Sequence, residues 1–305
     1  MNSSCNLSML EAQSQMNDTI YHLIKLVSTC VSCSLNTLLS APLLLVISRS
    51  PSLLRHTRFL LLTNLLLCIN LQQLLWMIKA ILLNSNESMP AAQCLIFLTA
   101  IQMCSMVDLF LSTALSVDRF VAVRWPLRYE FLVCPQRRKA AVAGIWMLPA
   151  VFSTAALGMN LSTVQVDFSI LRCRPLIFTP CLSWTLAVVL TVGTAVVIPL
   201  CYLTILGCFC FLCWDMRAGL SCASRACVTL SLQAAQTLLF SVPLLMDTYL
   251  LPGYLHSDAL DIATTITYDL GITLIPLAYG YRSRELQRRI RQAAHRNTAN
   301  NQNEL

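Results

Sequence analysis

Long apolar runs alternate with short polar, basic segments along the whole chain, and each run stops where charge returns. An α-helix needs about 20 predominantly apolar residues to cross hydrocarbon. Scanning at that length predicts seven spans, roughly 22–48, 59–83, 94–121, 140–159, 181–213, 226–251 and 261–281. The first contains only Lys25 before Arg49, and the fifth has no charge between Cys181 and Asp215. The seventh is the weakest, because Asp261 and Asp269 interrupt it. After it, Leu286, Ile290 and Ala294 recur at four-residue spacing while arginines crowd the other positions. That pattern suits a short amphipathic helix lying on an anionic inner leaflet. The expected architecture is an all-α membrane protein, a seven-transmembrane helix bundle. Its parts are an extracellular glycosylated N-terminus (1–21), the bundle (22–281) and a cytoplasmic amphipathic helix and tail (282–305). No signal-peptide pattern precedes the first run, so that run is expected to act as an uncleaved anchor.

Composition narrows the class further. Of 305 residues, 56% are hydrophobic and 11% charged, with a mean hydropathy of +0.66. A soluble domain carries about 25% charged residues. A soluble enzyme, a nucleic-acid-binding domain and a disordered chain are therefore poor fits. The net charge of +7 is a matter of topology instead. Lys25, Lys79, Arg172 and Arg174 stand apart; the other 17 of the 21 basic residues fall on one side of the predicted spans. By the positive-inside rule that side is cytoplasmic. The five Asn-x-Ser/Thr sequons, at Asn2, Asn6, Asn17, Asn86 and Asn160, all fall on the other side, where glycosylation occurs. The two signals agree on an outside N-terminus, an inside C-terminus and a multi-pass plasma-membrane protein.

Most of the 15 cysteines lie inside predicted spans, where they read as small apolar residues rather than metal ligands. Cys94 and Cys173 lie on the outer, oxidising side, and a bond between them would tie the second outer loop to the third span. Cys181 is the competing partner.

The third span ends in a run that carries a resemblance. Asp118-Arg119-Phe120 follows Cys94, and the stretch DRFVAVRWPLRY continues through Pro126. This resembles the class A (rhodopsin-like) G-protein-coupled receptors, and among them a divergent branch of the odorant receptors. Asn36, Arg58-Phe59, Trp146, Cys201-Tyr202 and the run Pro276 to Arg282 resemble further family positions, so the likeness spans about 20–294. The resemblance implies an Asp118–Arg119 ion pair that opens so Arg119 can meet a heterotrimeric G protein of the stimulatory class. Tyr202 and Tyr279 would then swing towards Arg119. Read without the resemblance, Arg119 could equally mark the interface and snorkel. Arg124, Arg128, Arg137, Arg138 and Lys139 of the second inner loop read either as G-protein contacts or as topology signal alone.

Departures from the family pattern shape the rest. Ile275 replaces the Asn before Pro276, and Ser241 replaces the Trp before Pro243. The usual acidic residue of the second span falls at Ile69 or, with a one-residue slip, at Asn70. Asp108 then reads as a relocated carboxylate facing Asn70 and Asn36, either in a water network, the favoured version, or holding a sodium ion. No other cofactor or metal is expected. Lys79 and Asp269 read as a buried ion pair, or Lys79 snorkels outward. The ligand site is expected in the outer half of the bundle: Ile101, Gln102 and Ser105 of the third span, Leu244 and Asp247 of the sixth, and Thr265, Tyr268 and Asp269 of the seventh. A small, mostly apolar odorant leads. The alternatives are an orphan receptor for a peptide, lipid or amine, and a non-signalling membrane scaffold.

Overall fold

The computed structural model describes residues 2–85, 89–132, 134–161, 169–170, 184–217 and 258–276, with the single positions 231, 235 and 288. In chain order the elements are α1 (Asn2–Ser48), α2 (Pro51–Leu54), α3 (Thr57–Asn84), β1 (Met89–Pro90), α4 (Ala91–Arg124), α5 (Pro126–Leu132), α6 (Pro135–Leu161), β2 (Ser169–Ile170), α7 (Trp184–Arg217) and α8 (Asp258–Ile275). Among the described residues four helices have windows long and apolar enough to cross a bilayer: Leu23–Ser48, Thr57–Leu82, Ala92–Arg124 and Val196–Trp214. Ile262–Ile275 adds a shorter apolar stretch. The expected sixth span, the end of the seventh and the amphipathic tail helix lie outside the described residues.

Helix ends depart from the expected span limits for local reasons. α1 begins at Asn2 rather than at 22, because residues 2–21 contain neither Gly nor Pro to stop the helix running outward from its apolar part. α2 and α6 open on Pro51 and Pro135, where the missing N–H costs nothing. The all-α expectation needs one amendment. Met89–Pro90 pairs antiparallel with Ser169–Ile170, putting Ile170 opposite Met89 on the outer side.

α3 packs most extensively on α4 and α1, α4 also on α6 and α7, and α1 on α8. The shared core joins Leu43 and Ile47 of α1, Leu65, Leu66 and Ile69 of α3, Leu111 and Leu115 of α4, and Ile272 and Ile275 of α8. The opposite faces are apolar too and stay exposed, as at Leu38, Leu203 and Trp214, where lipid rather than water would cover them. Lipid tails are as apolar as leucine, so burial alone does not hold such helices together.

Hydrogen bonds supply the missing specificity. Asn70 of α3 exchanges bonds with Ser40 of α1, at 2.9 and 3.1 Å, and accepts one from Asn36 Nδ2 at 3.4 Å. Trp146 Nε1 of α6 donates to Asn64 Oδ1 of α3 at 3.1 Å. Thr63, Thr99, Thr113 and Ser116 return their hydroxyls to carbonyls four residues back, which leaves none of these groups unmet in hydrocarbon.

Interhelical hydrogen bonds in bilayers average about 0.6 kcal/mol and reach about 1.7 kcal/mol. Asn70→Ala removes three such contacts and should lower stability by about 1–3 kcal/mol, read as thermal unfolding of the purified protein in lipid nanodiscs. Leu38→Ala, on an exposed face, should leave it within about 0.5 kcal/mol.

Candidate functional site

α4 is the axis of the site. Ser105, Asp108, Ser112 and Ser116 are all buried and follow one another at three- and four-residue spacing, so they form one stripe down its inward face. Arg119, half-buried, ends the stripe. At 1.5 Å per residue the stripe runs about 21 Å from Ser105 to Arg119.

At its outer end Gln72 of α3 is the junction. Its Nε2 donates to Ser105 Oγ at 2.9 Å and to the Tyr268 hydroxyl of α8. The Trp76 ring packs edge-on against Tyr268 with centroids 6.3 Å apart. Gln72 Oε1 is buried with no hydrogen-bond partner among the described residues, an acceptor left over in the cluster. Of the expected ligand residues, Ser105 and Tyr268 thus meet through Gln72. Ile101 is buried one turn above Ser105 and accepts its hydroxyl through the main chain at 3.0 Å. Gln102 and Thr265 are half-buried.

Asp269 turns elsewhere. Ser28 Oγ of α1 donates to its Oδ2 at 3.0 Å, and Ser32 Oγ to its main-chain oxygen at 3.4 Å. Lys25 is the cation that bears on it electrostatically. Lys79 is buried, with Nζ 4.6 Å from the centre of the Trp76 ring. The aromatic face beside Tyr268 is thus one of its neighbours.

Midway down, geometry settles the register that the sequence left open. Asn70, not Ile69, faces Asn36, while Ile69 lies in the apolar core. Asp108 accepts a hydrogen bond from Ser112, and the thiols of Cys68 and Cys104 feel its charge. No hydrogen bond joins it to Asn36 or Asn70 among the described contacts. Its Oδ1, like Asn36 Oδ1 and Gln73 Oε1, is buried without a partner. One hydroxyl and two thiols are a poor shell for sodium, a hard cation that seeks several oxygens.

The inner end holds a residue that the sequence reading passed over. Tyr129 of α5 donates its hydroxyl to Asp118 Oδ1 at 2.7 Å. Burial first, and then that bond to the carboxylate, push the phenol up to about 12. Tyr129 therefore stays a donor at every physiological pH. Arg119 and Arg58 also bear on Asp118. Tyr129 is the aromatic that closes the run DRFVAVRWPLRY, so the signal was its position after Pro126. Tyr202 of α7 packs with Leu109, Ile198 and Cys201, facing α4.

Leu244, Asp247, Tyr279, Cys173 and Asn86 lie outside the described residues. Cys94 is engaged in a disulfide. The β1–β2 pairing starts the segments leading to Cys94 and to Cys173 side by side. Asn2, Asn6 and Asn17 fall on α1 and Asn160 on α6, with side chains outside the described set.

Membrane-length helices around a hydrogen-bonded interior, with an Asp-Arg pair at one end of the central helix, make an integral-membrane helix bundle. The chain belongs to the 7 transmembrane receptor (rhodopsin family), whose pattern it matches over residues 41–304. It is a multi-pass membrane receptor and not an enzyme. A stretch of 82 residues is 33% identical to the adenosine receptor A2a of Canis lupus familiaris, covering 27% of this chain and 20% of that receptor. A stretch of 48 residues is 48% identical to galanin receptor type 3 of Homo sapiens and of Mus musculus, 16% of this chain and 13% of each receptor. The matched stretches thus span a fifth or less of these relatives.

Hydrogen bonds to charged groups contribute about 1.5–3 kcal/mol. Tyr129→Phe should release Asp118 and raise ligand-independent signalling about tenfold, measured as basal nucleotide exchange on a co-purified G protein. Unchanged exchange at equal surface expression would deny Tyr129 that restraining role.

Proposed function

We propose that the protein is a chemosensory receptor of this family, which binds a small, mostly apolar odorant in the outer half of the bundle and activates a heterotrimeric G protein inside. The observation that carries the reading is the Gln72–Ser105–Tyr268 cluster, with Gln72 Oε1 buried and unmet among the described residues and the Trp76 indole set against Tyr268. A buried acceptor beside aromatic rings, bordered by Ile101, suits a ligand with one polar group and an apolar body. On this reading Ile101, Gln102, Ser105, Leu244, Asp247, Thr265 and Tyr268 surround the ligand, while Asp269, held by Ser28 and Ser32 of α1, leaves the expected set. Asp118, Arg119, Tyr202 and Tyr279 carry the change to the inner face, and Cys94–Cys173 holds the outer loop. The N-terminus faces outside, with sugars on some of the five sequons, and the C-terminal tail lies on the inner leaflet of the plasma membrane. Stimulatory coupling and a rise in cyclic AMP are expected.

A second reading, a receptor for a non-odour ligand, is favoured by the short stretches shared with adenosine and galanin receptors. One assay separates the two. Cyclic AMP is measured in cells with confirmed surface expression, wild type beside Arg119→Ala, against small odorants, adenosine and galanin. The expected outcome is an odorant-dependent rise that Arg119→Ala abolishes and that Trp76→Phe shifts about tenfold in potency, the scale of one buried hydrogen bond. A response to adenosine or galanin alone would replace the odorant reading with the second. Silence throughout would overturn stimulatory coupling.

Asp108→Asn keeps the shape of the midway network and removes its charge. It should alter basal or stimulated cyclic AMP by severalfold, on the scale of about 1 kcal/mol. Identical dose–response curves would dismiss the network and the ion together.

A further inference from the structure

A cavity lies away from the proposed ligand site, at the end of the bundle that holds Asp118 and the expected cytoplasmic face. It is a cleft of about 890 Å³ between α3, α4 and α6. Its walls are apolar: Leu61 of α3, Phe110, Val117 and Val121 of α4, and Gly144 and Leu148 of α6. Gly144 leaves it open, since a Cβ built there would meet nothing within 4 Å. Leu148 is 66% exposed, and Met147 and Val151 continue the same apolar surface, so the cleft opens towards lipid.

Its inner rim is basic. Arg137 and Arg138, in the first turn of α6, line it. Arg138 donates Nη1 to the main-chain oxygen of Arg55, but its Nε is shielded from solvent and meets no acceptor. A guanidinium N–H without an acceptor is costly to bury. Asp118 also lines the cleft, but its Oδ1 takes the Tyr129 hydroxyl, and Arg58 and Arg119 oppose its charge. From Arg138 to Leu148 the helix rises about 15 Å, half of the roughly 30 Å hydrocarbon core. The cleft is therefore as deep as one leaflet.

We propose that this cleft is a site for an anionic glycerophospholipid of the inner leaflet. The phosphate sits on Arg137 and Arg138, satisfying the Nε of Arg138 in a charge-assisted bond. One acyl chain lies along α6 past Gly144 to Leu148. A sterol would fill the apolar walls, yet it brings no anion for the rim.

The experiment uses the full-length protein in phosphatidylcholine nanodiscs carrying a trace of phosphatidylserine with a photoactivatable acyl chain, and maps the labelled peptides. Labelling is expected on the α6 peptide that spans Gly144 and Leu148, and excess phosphatidylserine should displace it where added phosphatidylcholine does not. Arg137→Gln with Arg138→Gln should cut it about tenfold, as befits two charges facing an anionic headgroup. Gly144→Leu, which enters open space and leaves the rim intact, should cut labelling without changing the unfolding temperature. It keeps the test valid if the double variant fails to fold. Equal competition by phosphatidylcholine, or labelling indifferent to a folded variant, would reduce the cleft to ordinary annular lipid. Displacement by cholesterol but not by phosphatidylserine would make it a sterol site. Either result overturns the proposal.

Discussion

Inside a bilayer no water waits to take a polar group that the protein leaves unmet, and the positions of these helices follow from that constraint. Leucine faces leucine on the core side and lipid on the other at nearly equal energy. The side chains that cannot face lipid decide which way each helix turns. α3 answers most of them. Asn64 meets α6, Asn70 meets α1, Gln72 meets α4 and α8, and Gln73 donates to Ser32 of α1 at 3.3 Å. These positions rotate α3 into a single register, and the apolar core of α1, α3, α4 and α8 then closes around it.

The same constraint relates the two ends of the site. Ser105 belongs to the outer cluster and Arg119 to the inner end, and the buried stripe of α4 connects them through Asp108, Ser112 and Ser116. A rotation of α4 moves every member of that stripe at once, because they share one rigid helix. Distance along the bundle is therefore no obstacle to coupling. What coupling needs is that the helix have two tolerated rotations, and that outer and inner partners prefer different ones.

The first, second, third and fifth spans were legible because apolar runs bounded by charge are a one-dimensional signal. Their ends were less so: nothing between residues 2 and 21 breaks a helix, and α1 simply continues. Pairings across helices were harder, because each depends on rotations that a single chain does not reveal. Asp269 was expected to meet Lys79 unless Lys79 snorkelled outward; it accepts instead a hydroxyl from Ser28 of α1, one turn from Lys25, whose charge bears on it. The choice between Ile69 and Asn70 needed the position of Asn36. Gln72 and Trp76 were passed over because an uncharged polar residue in an apolar run looks like tolerated noise. Tyr129 was visible as a motif member, but its hydrogen bond to Asp118 depends on the turn between α4 and α5.

Four buried polar atoms of the interior, on Asn36, Gln72, Gln73 and Asp108, lack partners among the described residues. A sequence shaped for rigidity alone would have filled those places with carbon. Each unmet atom forfeits about 1–3 kcal/mol unless water serves it. Any second arrangement of the helices that pairs two of them starts with an advantage of that order over the present one. Frustration of this kind keeps a landscape from having one deep well, and a bundle with two shallow wells can be tipped by a ligand worth only a few hydrogen bonds.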